Sequence, residues 1–159
     1  MADPHPYFTD DIQPLDAMTY VREHPERFLP GGVPSGWAIV SGIAEDALVL
    51  GATDVRMMKE EGWWILFSNV DWLNVPCRCP SSPTEAFHRL LGFPELAVNS
   101  HRHEILAAAF AKAVVTVSRT DRFVVTGDVF EEHQIWRRLD EVTAARAVAF
   151  LMEADRSDD

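Results

Sequence analysis

Apolar positions recur at helical spacing in several stretches and alternate or run together in others, and this rhythm predicts the order of elements. Residues 1–13 are polar and proline-containing and read as a flexible N-terminal arm. Pro14 can open a first helix in which Leu15, Met18 and Val21 share one side until Pro25 ends it. FLPGGVPSG is too rich in proline and glycine for regular structure, and Ser35 is placed to cap a second helix, Gly36 to Leu50, closed by Gly51. Ile39, Ile43, Ala47 and Leu50 give that helix its buried stripe.

DVRMMK and WWILFSNV, separated by Glu60-Glu61-Gly62, read as a hairpin. A loop follows from Asn74 to Ser82, and Ser82-Pro83-Thr84-Glu85 is a capping box that starts a helix over AFHRLLGF. SHRHEILAAAFAKA is helical by propensity, and VVTVSR with RFVVTGDVF makes a second hairpin. HQIWRRL is expected to be a last strand and Glu141 to Ala154 a last helix, with Val142, Ala145, Val148, Ala149 and Met152 buried. Hairpins force antiparallel pairing, so residues 14–156 are expected to form one α+β domain. Its architecture is a two-layer sandwich, one mixed, mostly antiparallel sheet with helices packed on one face.

Composition narrows the function classes. The chain has 159 residues, 47% of them apolar, enough for a core without disulfides, and no apolar run approaches the ~20 residues that span a bilayer. The first residues have neither the basic start nor the apolar middle of a signal peptide, so a cytoplasmic location is expected, with no membrane contact. A net charge of −11 opposes a nucleic-acid surface, which needs clustered lysine and arginine. Cys77 and Cys79 are one residue apart, too close for an unstrained disulfide, and read as reduced thiols.

Three sets of side chains could carry chemistry. Adjacent Glu45 and Asp46 lie about 100° apart around the second helix, so at least one reaches solvent; the plainest reading makes both solvated acids on its outer face. Asp71 follows the first hairpin and reads most simply as a turn carboxylate bonding nearby amides. Cys77 and Cys79 with His88, His101 and His103 have the chemistry of a zinc set, but Cys-x-Cys is shorter than the usual spacing and His-x-His does not share a helical face, so no metal is expected. Trp63 and Trp64 must point to opposite faces of their strand, one into the core and one outward as an interface feature.

The order of elements and the string Gly51-Ala52-Thr53 followed eighteen residues later by Asp71 resemble the GHKL ATPase superfamily, the group of gyrase B, MutL and the histidine kinases. The segment LDAMTYVREHPERFL is similar to the one that precedes the nucleotide-site helix in gyrase B, and RHEILAAAFAKAVVTVSRT is similar to the helix and strand after the second glycine motif in MutL. The resemblance implies a Bergerat-like fold. It puts Asp46 at the place of the magnesium-binding Asn, Asp71 at that of the adenine-binding Asp, and Gly51 and Thr53 in the turn beside the nucleotide. Gly42 falls where the family has its catalytic Glu, and glycine offers no base; Glu45, three residues on, is the one candidate substitute. His101-Arg102-His103-Glu104 stands where glycines would approach the phosphates. The expectation is a non-catalytic GHKL-like binding or regulatory module that has lost ATP hydrolysis, needs no cofactor, and works through a protein partner or as a homo-oligomer. The alternative is a magnesium-dependent ATP-binding protein or ATPase.

Overall fold

A computed structural model describes residues 15–75 and 82–153. The arm at 1–13 and the pair Cys77 and Cys79 therefore lie outside the described residues. Asp16 accepts the Met18 amide and starts α1 (Ala17–Glu23), and Ser35 does the same for Ala38 at the head of α2 (Gly36–Val49). Gly51, at φ 108°, turns the chain out of α2: its own N–H reaches the Leu48 carbonyl and the Ala52 N–H the Ala47 carbonyl, the pairing of a glycine-closed helix end. The first hairpin is β1 (Val55–Glu60) and β2 (Trp63–Ser68). After a long irregular connection come α3 (Glu104–Phe110), a second hairpin of β3 (Ala113–Ser118) and β4 (Arg122–Thr126), then α4 (Gln134–Asp140) and β5 (Arg146–Leu151).

The five strands form one antiparallel sheet in the order β1-β2-β5-β3-β4, an α+β arrangement. The last strand thus enters between the two hairpins and ties them together. Among the described residues no strand pair is parallel, where the sequence suggests a mixed sheet.

The C-terminal order is the reverse of the sequence expectation. HQIWRRL is helical: the His133 ring accepts the Ile135 N–H, and Ile135, Trp136 and Leu139 share one buried face. Residues 146–151 are a central strand buried on both faces, so their apolar run has no alternation to reveal it, and four alanines from 144 to 149 imitate a helix. The segment after Ser82 makes only a short 3-10 turn, Glu85–Phe87, closed at His88, whose N–H reaches the Glu85 carbonyl.

Both faces of the sheet carry apolar packing. Leu66, Val114, Val148 and Phe150 meet Ile39, Ile43, Ile105 and Leu106 on the side of α2 and α3. Trp63, Ile65, Phe67, Val115 and Ala149 meet Ile135, Trp136 and Leu139 of α4 on the other. Helices on one face only therefore does not describe the chain. Trp63 and Trp64 do take opposite faces: Trp63 is buried under α4 and Trp64 is half-buried beside exposed Trp37.

Candidate functional site

On α2, the buried residues include Ile39, Ile43 and Ala47, and also Asp46, which is 0% exposed. Glu45 is exposed, as expected of one acid of the pair, but Asp46 is not a solvated surface acid. Its carboxylate accepts the backbone N–H of His103 (2.6 Å) and pairs with the His103 Nδ1 (2.8 Å). Arg102 Nε lies 3.7 Å from the same carboxylate. The second acid of this cluster is Glu104, the first residue of α3 and likewise 0% exposed; it accepts from Arg102 Nε (3.1 Å), Arg102 Nη2 (2.5 Å) and the Trp72 indole N–H (2.8 Å). Two buried carboxylates are thus met by one guanidinium and one imidazole. Without such partners, burying either acid would be prohibitive.

Gly42 completes the arrangement. A Cβ on Gly42 would stand 2.5 Å from His103 Cδ2 and 2.7 Å from its Cγ, so the imidazole lies where any side chain at 42 would start. The absence of a side chain at 42 and the presence of histidine at 103 are one feature seen from two ends.

Burial pushes the Asp46 carboxyl up to about 6, opposed by its hydrogen bond with His103 and reinforced by the charge of Glu104. Burial also works against charge on His103, but the hydrogen bond and charge of Asp46 outweigh it and leave the imidazole above its ordinary value. His101 shifts the other way, lowered by burial and by His103; its Nε2 is buried with no hydrogen-bond partner among the described residues. A histidine raised on folding stabilises fully below the ordinary pKa of about 6.5, and that contribution is lost as pH rises through the folded value. The buried Asp46 acts in the same sense lower down, between the ordinary value near 4 and about 6, and His101 acts oppositely below about 6.5. Above pH 6.5, unfolding free energy is therefore expected to fall in the wild type relative to His103→Gln, by at most about 1.4 kcal/mol per pH unit. Urea midpoints at three pH values between about 6.5 and about 8 check this; parallel curves would remove His103 as the titrating group.

Asp71 belongs to a different network. Arg146, 0% exposed at the start of β5, donates to it through Nε (2.8 Å) and Nη2 (3.0 Å) and to Asp121 through Nη1 (2.7 Å) and Nη2 (3.3 Å). Burial opposes the charge of Arg146, and the two carboxylates hold it charged. Asp71 also accepts from Asn74 (2.8 Å), as a turn carboxylate does. Gly51 closes α2, its N–H on the Leu48 carbonyl (3.1 Å), and Thr53 is tied to the end of the first hairpin: the N–H groups of Thr53 and Asp54 donate to Asn69 Oδ1 (3.1 Å each), and Asn69 Nδ2 donates to Thr53 Oγ1 (2.8 Å). Asp46 and Asp71, which the GHKL resemblance sends to one ligand, are thus each engaged by a separate set of side chains.

Comparison with protein-family models, with curated proteins and with solved structures found no match. The site must be read from its own geometry.

The His101 and His103 rings lie 5.3 Å apart, tilted by 39°. Among the described residues, no three His, Cys, Asp or Glu side chains converge as a metal set, and His88 is exposed. No helix there is long and apolar enough to cross a membrane. A cavity of about 440 Å³ opens beside Gly51, with Leu50, Trp72, Leu91, Phe93 and Arg102 in its lining. Asn69, Asp121 and Arg146 are outside the residues that motif spacing singles out, and Arg102 and Glu104 stand out in the sequence only as replacements for glycines, not as an ion pair. One signal was available: Arg102 and Glu104 are charges directly against an apolar helical run, and Arg146 is a lone charge inside one.

Proposed function

We propose that the chain is a non-catalytic, GHKL-like binding or regulatory module, acting through a protein partner or by self-association. The observation that carries this reading is the His103 ring, which lies against Gly42 and occupies the Asp46 carboxylate. In the resemblance, Gly42 is the position of the general base and Asp46 that of the magnesium ligand. Here the first has no side chain and the second is 0% exposed, so neither a base nor a free carboxylate faces a ligand. Glu45, the substitute base, is on the exposed side of the helix. The engagement of Asp71 with Arg146 supports the same reading.

The cavity of about 440 Å³ beside Gly51 is the feature that favours the alternative, a magnesium-dependent ATP-binding protein, because its size suits a small ligand. A thermal-shift measurement decides between them. ATP with magnesium at ~100 times its dissociation constant would stabilise the chain by ~2.7 kcal/mol. We expect no shift up to millimolar nucleotide. A shift that disappears in Asp46→Asn or Asp71→Asn would overturn the non-catalytic reading and restore the nucleotide site.

A further inference from the structure

The first hairpin leaves one side of β1 without a partner. Among the described residues β1 pairs with β2 alone, and Arg56, Met57, Lys59 and Glu60 are exposed. The phase of its hydrogen bonding follows from the end of the ladder, where Asn69 N–H donates to the Asp54 carbonyl. Opposed residues of an antiparallel pair alternate between bonded and unbonded. In the register Val55↔Ser68 to Glu60↔Trp63, Arg56, Met58 and Glu60 therefore bond to β2, and Val55, Met57 and Lys59 direct their N–H and C=O groups outward.

We infer that β1 is a self-association edge, on which β1 of a second copy of this chain pairs antiparallel about a two-fold axis through Met58. The inference rests on the proposed reading of the chain as a binding module and names its partner. Only registers that place outward residues opposite outward residues can bond, which limits the two-fold centre to a residue rather than a peptide. Centred on Met58, Arg56 stands opposite the second copy's Glu60 twice, Met57 stands opposite its Lys59 twice, and the two Met58 side chains meet on the axis. Four backbone hydrogen bonds form, from Met57 and Lys59 of each copy. Centred on Met57, two more would form, but Asp54 would oppose Glu60 twice in place of two attractive pairs. Centred on Arg56, two arginines would meet. Within each copy Arg56 also meets Asp54 (3.3 Å) and Glu60 meets Arg138 (2.6 Å), exposed pairs that the second copy's charges would join. Charge complementarity between the copies thus selects Met58, as it commonly fixes register more than affinity.

The other edge does not offer this. β4 carries a single charge, Arg122, and the strand has no acid for a second copy's Arg122 to meet. On β1, Arg56, Lys59 and Glu60 discourage indiscriminate edge pairing while permitting one arrangement. The product is a continuous ten-stranded antiparallel sheet with α4 of both copies on the same face.

Sedimentation equilibrium of the full chain tests this, from about 10 µM to about 500 µM in ~0.15 M salt, where the repulsion of two chains of −11 is screened beyond ~8 Å. We expect a monomer–dimer equilibrium. Met57→Pro removes an outward N–H without touching the ladder to β2 and is expected to weaken the dimer at least about tenfold while leaving the thermal midpoint nearly unchanged. Arg56→Glu and Glu60→Arg alone should each weaken it about tenfold, and the two together should return it to within about threefold of the wild type. A monomer throughout the range, a dimer indifferent to Met57→Pro, or charge reversals that the double variant does not rescue would each overturn the inference. The charge-reversal series decides even if Met57→Pro does not fold. A monomer that shows no ATP shift removes this inference and leaves the non-catalytic reading standing; an ATP shift that is lost in Asp46→Asn or Asp71→Asn removes that reading whatever the oligomeric state.

Discussion

Replacing Arg146 by methionine is expected to lower the unfolding free energy by about 3–5 kcal/mol at neutral pH, the range for removing one partner of a buried ion pair. Methionine fills much of the same space, so the loss is electrostatic rather than a cavity. The guanidinium makes five hydrogen bonds, two to Asp71, two to Asp121 and one to Thr116 Oγ1 (3.3 Å). Without it, two partly buried carboxylates at one end of the sheet face each other with no cation between them. Mechanically the loss matters because Arg146 begins β5, the strand that joins both hairpins, and its two acids come from the loops after β2 and after β3. Urea unfolding measures the effect, with an unchanged m-value as the sign that the fold is retained. Adding Asp71→Asn and Asp121→Asn to Arg146→Met should recover a substantial part of the loss, because the orphaned charges are then gone. A loss below about 1 kcal/mol for the single variant, or no recovery in the triple, would show that the network is peripheral to stability.

What the sequence displays and what it hides divide along one physical line. The first hairpin and α2 are legible because their determinants are local: Ser35 as cap, Gly51 as terminator, a turn at Glu61-Gly62, and an apolar stripe from Ile39 to Ala47. β5 and α4 are read in reverse because a central strand covered on both faces loses the alternation that identifies a strand at all. The polar networks are hidden for a different reason. Asp46 meets His103 across 57 residues and Asp71 meets Arg146 across 75, and no local pattern announces a partner that distant. Asp46 reads as a surface acid beside Glu45 because burial of a carboxylate becomes tolerable only when its distant cation is known.

The same coupling makes Gly42→Ala a substitution whose sign depends on residue 103. Alanine at a helix-interior glycine ordinarily stabilises by about 1 kcal/mol. On α2 the new methyl would stand 2.5 Å from the His103 ring, nearer than carbon atoms approach, so the imidazole must leave. It then abandons the Asp46 oxygen 2.8 Å away, and a hydrogen bond to a buried charged group is worth about 1.5–3 kcal/mol. Gly42→Ala is therefore expected to destabilise the wild type by about 1–2 kcal/mol, yet to stabilise His103→Ala by up to about 1 kcal/mol. The double-mutant cycle, read by denaturant unfolding, should give a coupling of about 2–3 kcal/mol. Equal effects in both backgrounds would mean that the ring does not depend on the missing side chain. The cycle also bears on function: a glutamate at 42, the residue the GHKL resemblance puts there, would evict His103 in the same way. With histidine at 103 and its ring against α2 there is no room for a side chain at 42, so a glutamate at 42 and the buried Asp46–His103 pair exclude each other.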